Sequence, residues 1–218
     1  NDGCTGTSSS FAITVNPTPT ANTVSNQTLC NGANTTAINL GGAVSGTTYS
    51  WTNTTPSVGL AASGNTNIAS FAAVNAGATP VTATITVTPS ANGCTGTAKT
   101  FTITVNPTPT VATVANQTLC NGASTTAVNF GGAVSGTTYS WTNNVISIGL
   151  PASGVGDIAS FTAVNTGAAP SVATITATPS ANSCTGATTS FTITVNPTPT
   201  VNTVSNQTLC NGANTTAI

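Results

Sequence analysis

Large apolar residues alternate with small or hydroxyl-bearing ones in Phe101-Thr102-Ile103-Thr104-Val105, and the same pattern stands at 11–15 and 191–195. Period-two alternation puts the bulky side chains on one face of an extended segment, as a half-buried strand requires. Thr84-Ile85-Thr86-Val87-Thr88 has it too, and further strand candidates run over 37–40, 47–52 and 67–74, separated by Gly41-Gly42, Ser45-Gly46, Ser63-Gly64 and Ala76-Gly77. No stretch carries a helical stripe. Six to eight short strands in about 90 residues predict an all-β fold, an antiparallel sandwich of two sheets.

The pattern then copies itself. Residues 21–110 and 111–200 agree at about 65 of 90 positions without a gap, and the cysteines form two series, 4/94/184 and 30/120/210, each stepping by 90. A unit of that length buries a core of its own, whereas solenoid units of roughly 20–50 residues cannot. The predicted organisation is a last strand of a preceding repeat at 1–16, complete sandwiches at 17–106 and 107–196, and the start of a following repeat at 197–218, as expected of an excerpt from a longer array. Asn-Pro-Thr-Pro-Thr falls at each boundary: Pro17 and Pro19, Pro107 and Pro109, Pro197 and Pro199. Proline fixes φ and biases the residue before it to extended geometry, so these segments predict stiff spacers.

Composition removes whole classes of function. Of 218 residues only Asp2, Lys99 and Asp157 carry charge, and histidine is absent. Nucleic-acid and anionic-membrane binding need clustered Lys and Arg, which the chain lacks, and no apolar run approaches the ~18 residues of a membrane span. Two isolated carboxylates and one lysine assemble no acid/base pair, activated nucleophile or metal cluster, so the reading is not an enzyme, with no cofactor. The same scarcity rules out lysine–asparagine crosslinks. A content of 38% hydrophobic residues rich in β-branched types argues against disorder.

Two cysteines per repeat, without histidine or C-x2-C spacing, suit disulfides in an oxidising compartment. One scheme closes each repeat on itself, Cys30 with Cys94 and Cys120 with Cys184. The other joins Cys94 to Cys120 across the linker. Trp51 and Trp141, each two residues after Tyr49 and Tyr139 in a strand candidate, are assigned to the core. Threonine runs on strand faces are read as β-propensity and not as an ice-binding face. Asn-x-Thr sequons at Asn26, Asn34, Asn53 and Asn116 are attributed to chance in a Thr/Asn-rich chain.

Taken together, Asn26-Gln27-Thr28-Leu29-Cys30-Asn31-Gly32, Tyr49-Ser50-Trp51-Thr52, Ile68-Ala69-Ser70-Phe71, Asn92-Gly93-Cys94-Thr95-Gly96 and Phe101 to Pro107 resemble the PKD-like, immunoglobulin-like repeats of giant cell-surface adhesins of Bacteroidetes. The resemblance spans the chain. It implies tandem immunoglobulin-like sandwiches with a core tryptophan, export by type IX secretion, an extracellular place on the outer face of the bacterial outer membrane, and attachment to a substratum or gliding motility. The Asp-Ser/Thr-apolar glycosylation motif of that phylum is missing here, since Gly3 follows Asp2 and Ile158 follows Asp157.

Two functions stay open at this point. One is a stalk or filament segment of a long repetitive adhesin, its partners being neighbouring repeats of the same chain, other surface filament proteins or a substratum. The alternative is a self-assembling extracellular filament or surface-layer subunit with lateral or strand-donating contacts.

Overall fold

The structure, a computed structural model, describes residues 3–217, so Asp2 and the outermost ends of the two flanking pieces lie outside the described residues. Contacts divide the chain into two units. The first takes the chain up to Thr110 together with Ala133–Thr137 and Ser180–Gly186; the second takes Val111–Gly132, Thr138–Pro179 and the chain from Ala187 onward.

The first repeat forms β1 (Gln27–Cys30), β2 (Thr48–Asn53), β3 (Ser63–Gly64), β4 (Val81–Ala91), β5 (Cys94–Thr95) and β6 (Lys99–Asn106). They make one sheet in the order β1-β6-β4-β2-β3, with β5 on β4. The second repeat reproduces it with β7 (Gln117–Cys120), β8 (Thr138–Asn143), β9 (Ser153–Val155), β10 (Ser171–Ala181), β11 (Cys184–Thr185) and β12 (Thr189–Asn196), in the order β7-β12-β10-β8-β9. Opposite each sheet runs a thinner layer held by isolated antiparallel bridges, Asn34 with Ala72 and Ile38 with Ile68, then Ser124 with Thr162 and Val128 with Ile158. The fold is therefore all-β, a tandem immunoglobulin-like sandwich. Its helical residues, among those described, are the single 3-10 turns Pro56–Val58 and Ile146–Ile148.

The alternation seen in the sequence decides which face is buried. Ala83, Ile85 and Val87 of β4 and Phe101, Ile103 and Val105 of β6 all point into the core with Trp51, Ile38, Val58 and Ile68. Ile85 and Ile103 are completely enclosed, and each contributes about 1.5–3 kcal/mol of burial. The threonines between them face outward and pair across strands, as Thr82 and Thr104 do at 3.0 Å. Pro89 sits inside β4 without breaking the sheet. Pairing of β4 with β6 stops at Val87 opposite Lys99, and β5 resumes only at Ser90, so no ladder bond is asked of the missing N–H.

Two differences from the sequence reading matter. One pair in each sheet is parallel, β1 on β6 and β7 on β12, with Cys30 opposite Asn106 and Cys120 opposite Asn196. Residues 11–15, which share the β6 pattern, form no ladder, and Phe11, Ile13 and Val15 are 87%, 79% and 87% exposed. Their counterparts in β6 are held between β4 and β1.

Trp51 is stapled over β3. A Cβ added at Gly64 would come within 2.3 Å of its ring, and one at Gly154 within 2.2 Å of the Trp141 ring. A rigid indole inside a packed core has nowhere to retreat. Gly64→Ala and Gly154→Ala should each lower the stability of their repeat by about 1–3 kcal/mol, read as a shifted denaturant midpoint; an unchanged midpoint would show that the ring is free to move.

Candidate functional site at the end of strand β6

The cysteines are joined in neither predicted way. Cys30 is bonded to Cys184, with a Cα–Cα distance of 5.6 Å and a sequence separation of 154. Cys94 and Cys120 are thiols, as are Cys4 and Cys210. The parallel strand explains why the within-repeat pairs fail. Cys30 stands opposite Asn106, at the last residue of β6, while Cys94 lies in β5, before the first residue of β6 at Lys99. Eight residues of strand separate the two ends, roughly 20–25 Å, whereas a disulfide needs Cα atoms about 4.4–6.8 Å apart. Cys120 and Cys184 are kept apart by β12 in the same manner.

What reaches Cys30 instead is the tight turn that joins β10 to β11. Asn182 and Ser183 occupy its corner with φ of 50° and 63°, where the first repeat has Asn92 and Gly93 at 49° and 77°. Two left-handed residues in succession form the turn that suits the twist of a two-residue hairpin. The Asn106 side chain donates from Nδ2 to the Asn182 carbonyl at 3.0 Å, and Cys30 Sγ lies 3.8 Å from the Ser183 carbonyl oxygen. Asn106 is the residue before Pro107, and Asn16, before Pro17, donates in the same way to the Asn92 carbonyl at 3.1 Å. Both bonds span 76 residues, so the grip of an Asn-Pro asparagine on a hairpin turn recurs with the repeat.

A second asparagine network locks the end of β6 from inside. Asn75, buried, donates from Nδ2 to the carbonyls of Val105 and Thr79, both at 2.8 Å, and accepts from Gly77 N–H at 2.9 Å. Its own N–H donates to Asn31 Oδ1 at 2.9 Å, and Asn31 Nδ2 donates to Thr108 Oγ1 in the linker at 3.2 Å. Asn165, Asn121 and Thr198 repeat the arrangement. Sequence reading missed these asparagines; the recurring Asn before each Pro-Thr-Pro-Thr was the signal on offer.

The linker prolines are partly absorbed into the fold. Pro19, Pro107 and Pro109 are buried, Pro197 half-buried, and Pro17 and Pro199 exposed. Thr20 Oγ1 accepts from Ala43 N–H at 3.0 Å, and Asn22 N–H donates to the Gly41 carbonyl at 2.7 Å, so the linker is held by bonds as well as by ring geometry. Trp51 and Trp141 are buried, Tyr139 is buried and stacks on Phe130 at 5.5 Å, and Tyr49 is half-buried. Among the sequons, Asn53 is buried with its amide on the Leu60 and Ala61 carbonyls, and Asn26 and Asn116 accept from Thr102 and Thr192 N–H, so these side chains serve the sheet.

No group of three or more His, Cys, Asp or Glu is placed to hold a metal among the described residues, and no helix there is long and apolar enough to cross a membrane. The site is thus a covalent and hydrogen-bonded fastening.

The model of the PKD-like domain family matches residues 27–109. No curated protein matches it. Solved structures it is similar to include a three-Ig titin segment (12% identity, 82% of this chain and 66% of that one, TM-score 0.45). Mouse cadherin-23 EC22-24 is another (13%, 84% and 67%, 0.43), as is DIP-gamma IG1+IG2 (10%, 83% and 98%, 0.40). All three likenesses are distant.

The duplicated repeat supplies internal controls. Trp51 Nε1 donates to the Thr66 carbonyl at 2.9 Å, but position 66 corresponds to Gly156 and Trp141 Nε1 is buried without a partner. An unmet buried donor costs about 1–3 kcal/mol. Trp51→Phe should therefore destabilise its repeat more than Trp141→Phe does, and equal shifts in denaturant midpoint would contradict that. Asn75→Ala strands the buried Val105 carbonyl and should cost about 1–3 kcal/mol, most of it visible as faster amide exchange along β6.

Proposed function

We propose that this chain is a tension-carrying stalk segment of a long, repetitive, secreted cell-surface adhesin, with no catalytic role of its own. The observation that carries the reading is the Cys30–Cys184 bond, which fastens the first strand of one repeat to the hairpin of the next at a turn already gripped by Asn106. A covalent tie between successive repeats has little use in an independent binding domain and direct use where repeats are pulled in series. In the chain-entropy account, closing a loop of this length stabilises the fold by about 5 kcal/mol.

Within this reading the functional modules are 17–106 and 107–196, the buried prolines set their spacing, and the partners are neighbouring repeats and a substratum. Disulfide chemistry supports an extracellular setting. The finer likeness to the gliding-motility adhesin SprB, with type IX secretion and a place on the bacterial outer surface, belongs to the same proposal. A second reading is a self-assembling filament or surface-layer subunit, favoured by one feature of the whole chain: with so few charged side chains, neighbouring Thr/Asn-rich surfaces meet little electrostatic repulsion.

Sedimentation velocity separates the two. A stalk segment should remain monomeric up to about 100 µM, and with so few charges its sedimentation and melting should barely change between about 0.05 and 1 M salt. Concentration-dependent oligomers would replace the stalk with the self-assembling subunit.

A further inference from the structure

We infer that the Cys30–Cys184 disulfide takes most of both sandwich cores out of the path of tension, so that the oxidised chain holds a reserve of length released only by reduction. This deepens the stalk reading. Force applied at the two ends travels along the covalent chain. From the N-terminal side it reaches Cys30, crosses the sulfur–sulfur bond to Cys184, and continues through β11 and β12 to the C-terminal side. Everything between those cysteines hangs off that path as a closed loop: β2 to β6, β7 to β10, and all the core residues they carry. A separation of 154 residues corresponds to roughly 500–550 Å of contour at about 3.3–3.6 Å per residue.

The pairing also accounts for the thiols. It couples the cysteine of a Thr-Leu-Cys-Asn-Gly segment to that of the Cys-Thr-Gly hairpin one repeat further on, and no cysteine in this sequence lies 154 residues from Cys4, Cys94, Cys120 or Cys210. The Asn16 to Asn92 bond shows the same register gripped where no second cysteine is in reach. Continued in tandem, the rule gives overlapping loops. Tension would then pass through the short stretches from one hairpin cysteine to the next Thr-Leu-Cys, each holding a last strand, the Pro-Thr-Pro-Thr linker and a first strand. Release requires two electrons and two protons: a dithiol such as dithiothreitol supplies them, leaving Cys30 and Cys184 as thiols and itself as a cyclic disulfide.

Single-molecule stretching of the full chain, handled at its two ends, tests this independently of what the protein does on a cell. The oxidised chain should stop short of its reduced contour by roughly 500–550 Å. Cys30→Ser should release that whole length without reductant, and Cys120→Ser should release none. Under the within-repeat pairing, each of those variants would release roughly 210–230 Å, and that result would overturn the inference. So would equal extension of the oxidised and reduced wild-type chains. Non-reducing peptide mapping checks the covalent premise by itself: a Cys30–Cys184 peptide is expected, and a Cys30–Cys94 or Cys94–Cys120 peptide would refute it. A stalk role could fail in the sedimentation experiment with these outcomes unchanged.

Discussion

Parallel pairing of β1 with β6 is the constraint on which the cysteine fastening depends. It lays Gln27–Cys30 alongside Ile103–Asn106 and so carries Cys30 to the far end of the last strand, beside the Asn-Pro step and away from its own repeat's hairpin. An antiparallel β1 would run the other way and deliver the cysteine toward Lys99 and the Cys94 hairpin. Strand polarity alone therefore decides whether the disulfide closes a repeat on itself or ties it to the next. The Asn75 network serves the same end of β6, since the two carbonyls it satisfies and the Asn31 it engages surround the point where strand gives way to linker.

Because the chain has so few charges, its specificity comes from hydrogen bonds to backbone. Asparagine supplies more of them than any other residue type, because its amide offers donors and an acceptor in one short side chain and can cap a turn and bind a carbonyl at once. Asn53 bonds the Leu60 and Ala61 carbonyls while accepting from Thr55 N–H, and Asn75 does the equivalent for its loop. Low charge and abundant asparagine are thus one choice of chemistry: neutral groups hold loops that salt bridges hold elsewhere, and do so without sensitivity to salt.

The two repeats are not equivalent in strength. Gly156 stands where Thr66 supplies a carbonyl to its tryptophan, and Ser183 takes a left-handed corner where the first repeat has Gly93. Both changes weaken the second copy locally, the serine by about 1 kcal/mol of backbone strain. The disulfide falls at that strained turn.

Local pattern was enough to establish much of this protein from its sequence. Alternation in Phe101 to Val105 and Thr84 to Val87 named the buried residues, because a strand's side-chain period is two whatever it pairs with. The 90-residue copy gave the tandem organisation, and the cysteine count pointed to disulfide chemistry. What alternation cannot carry is which strands lie side by side, and in which direction, since a strand exposes the same two faces to a parallel or an antiparallel neighbour. That decision lay with the tertiary structure. It placed β1 parallel to β6, buried Pro19 and Pro107 in what the sequence presented as stiff spacers, and joined Cys30 to a cysteine 154 residues away.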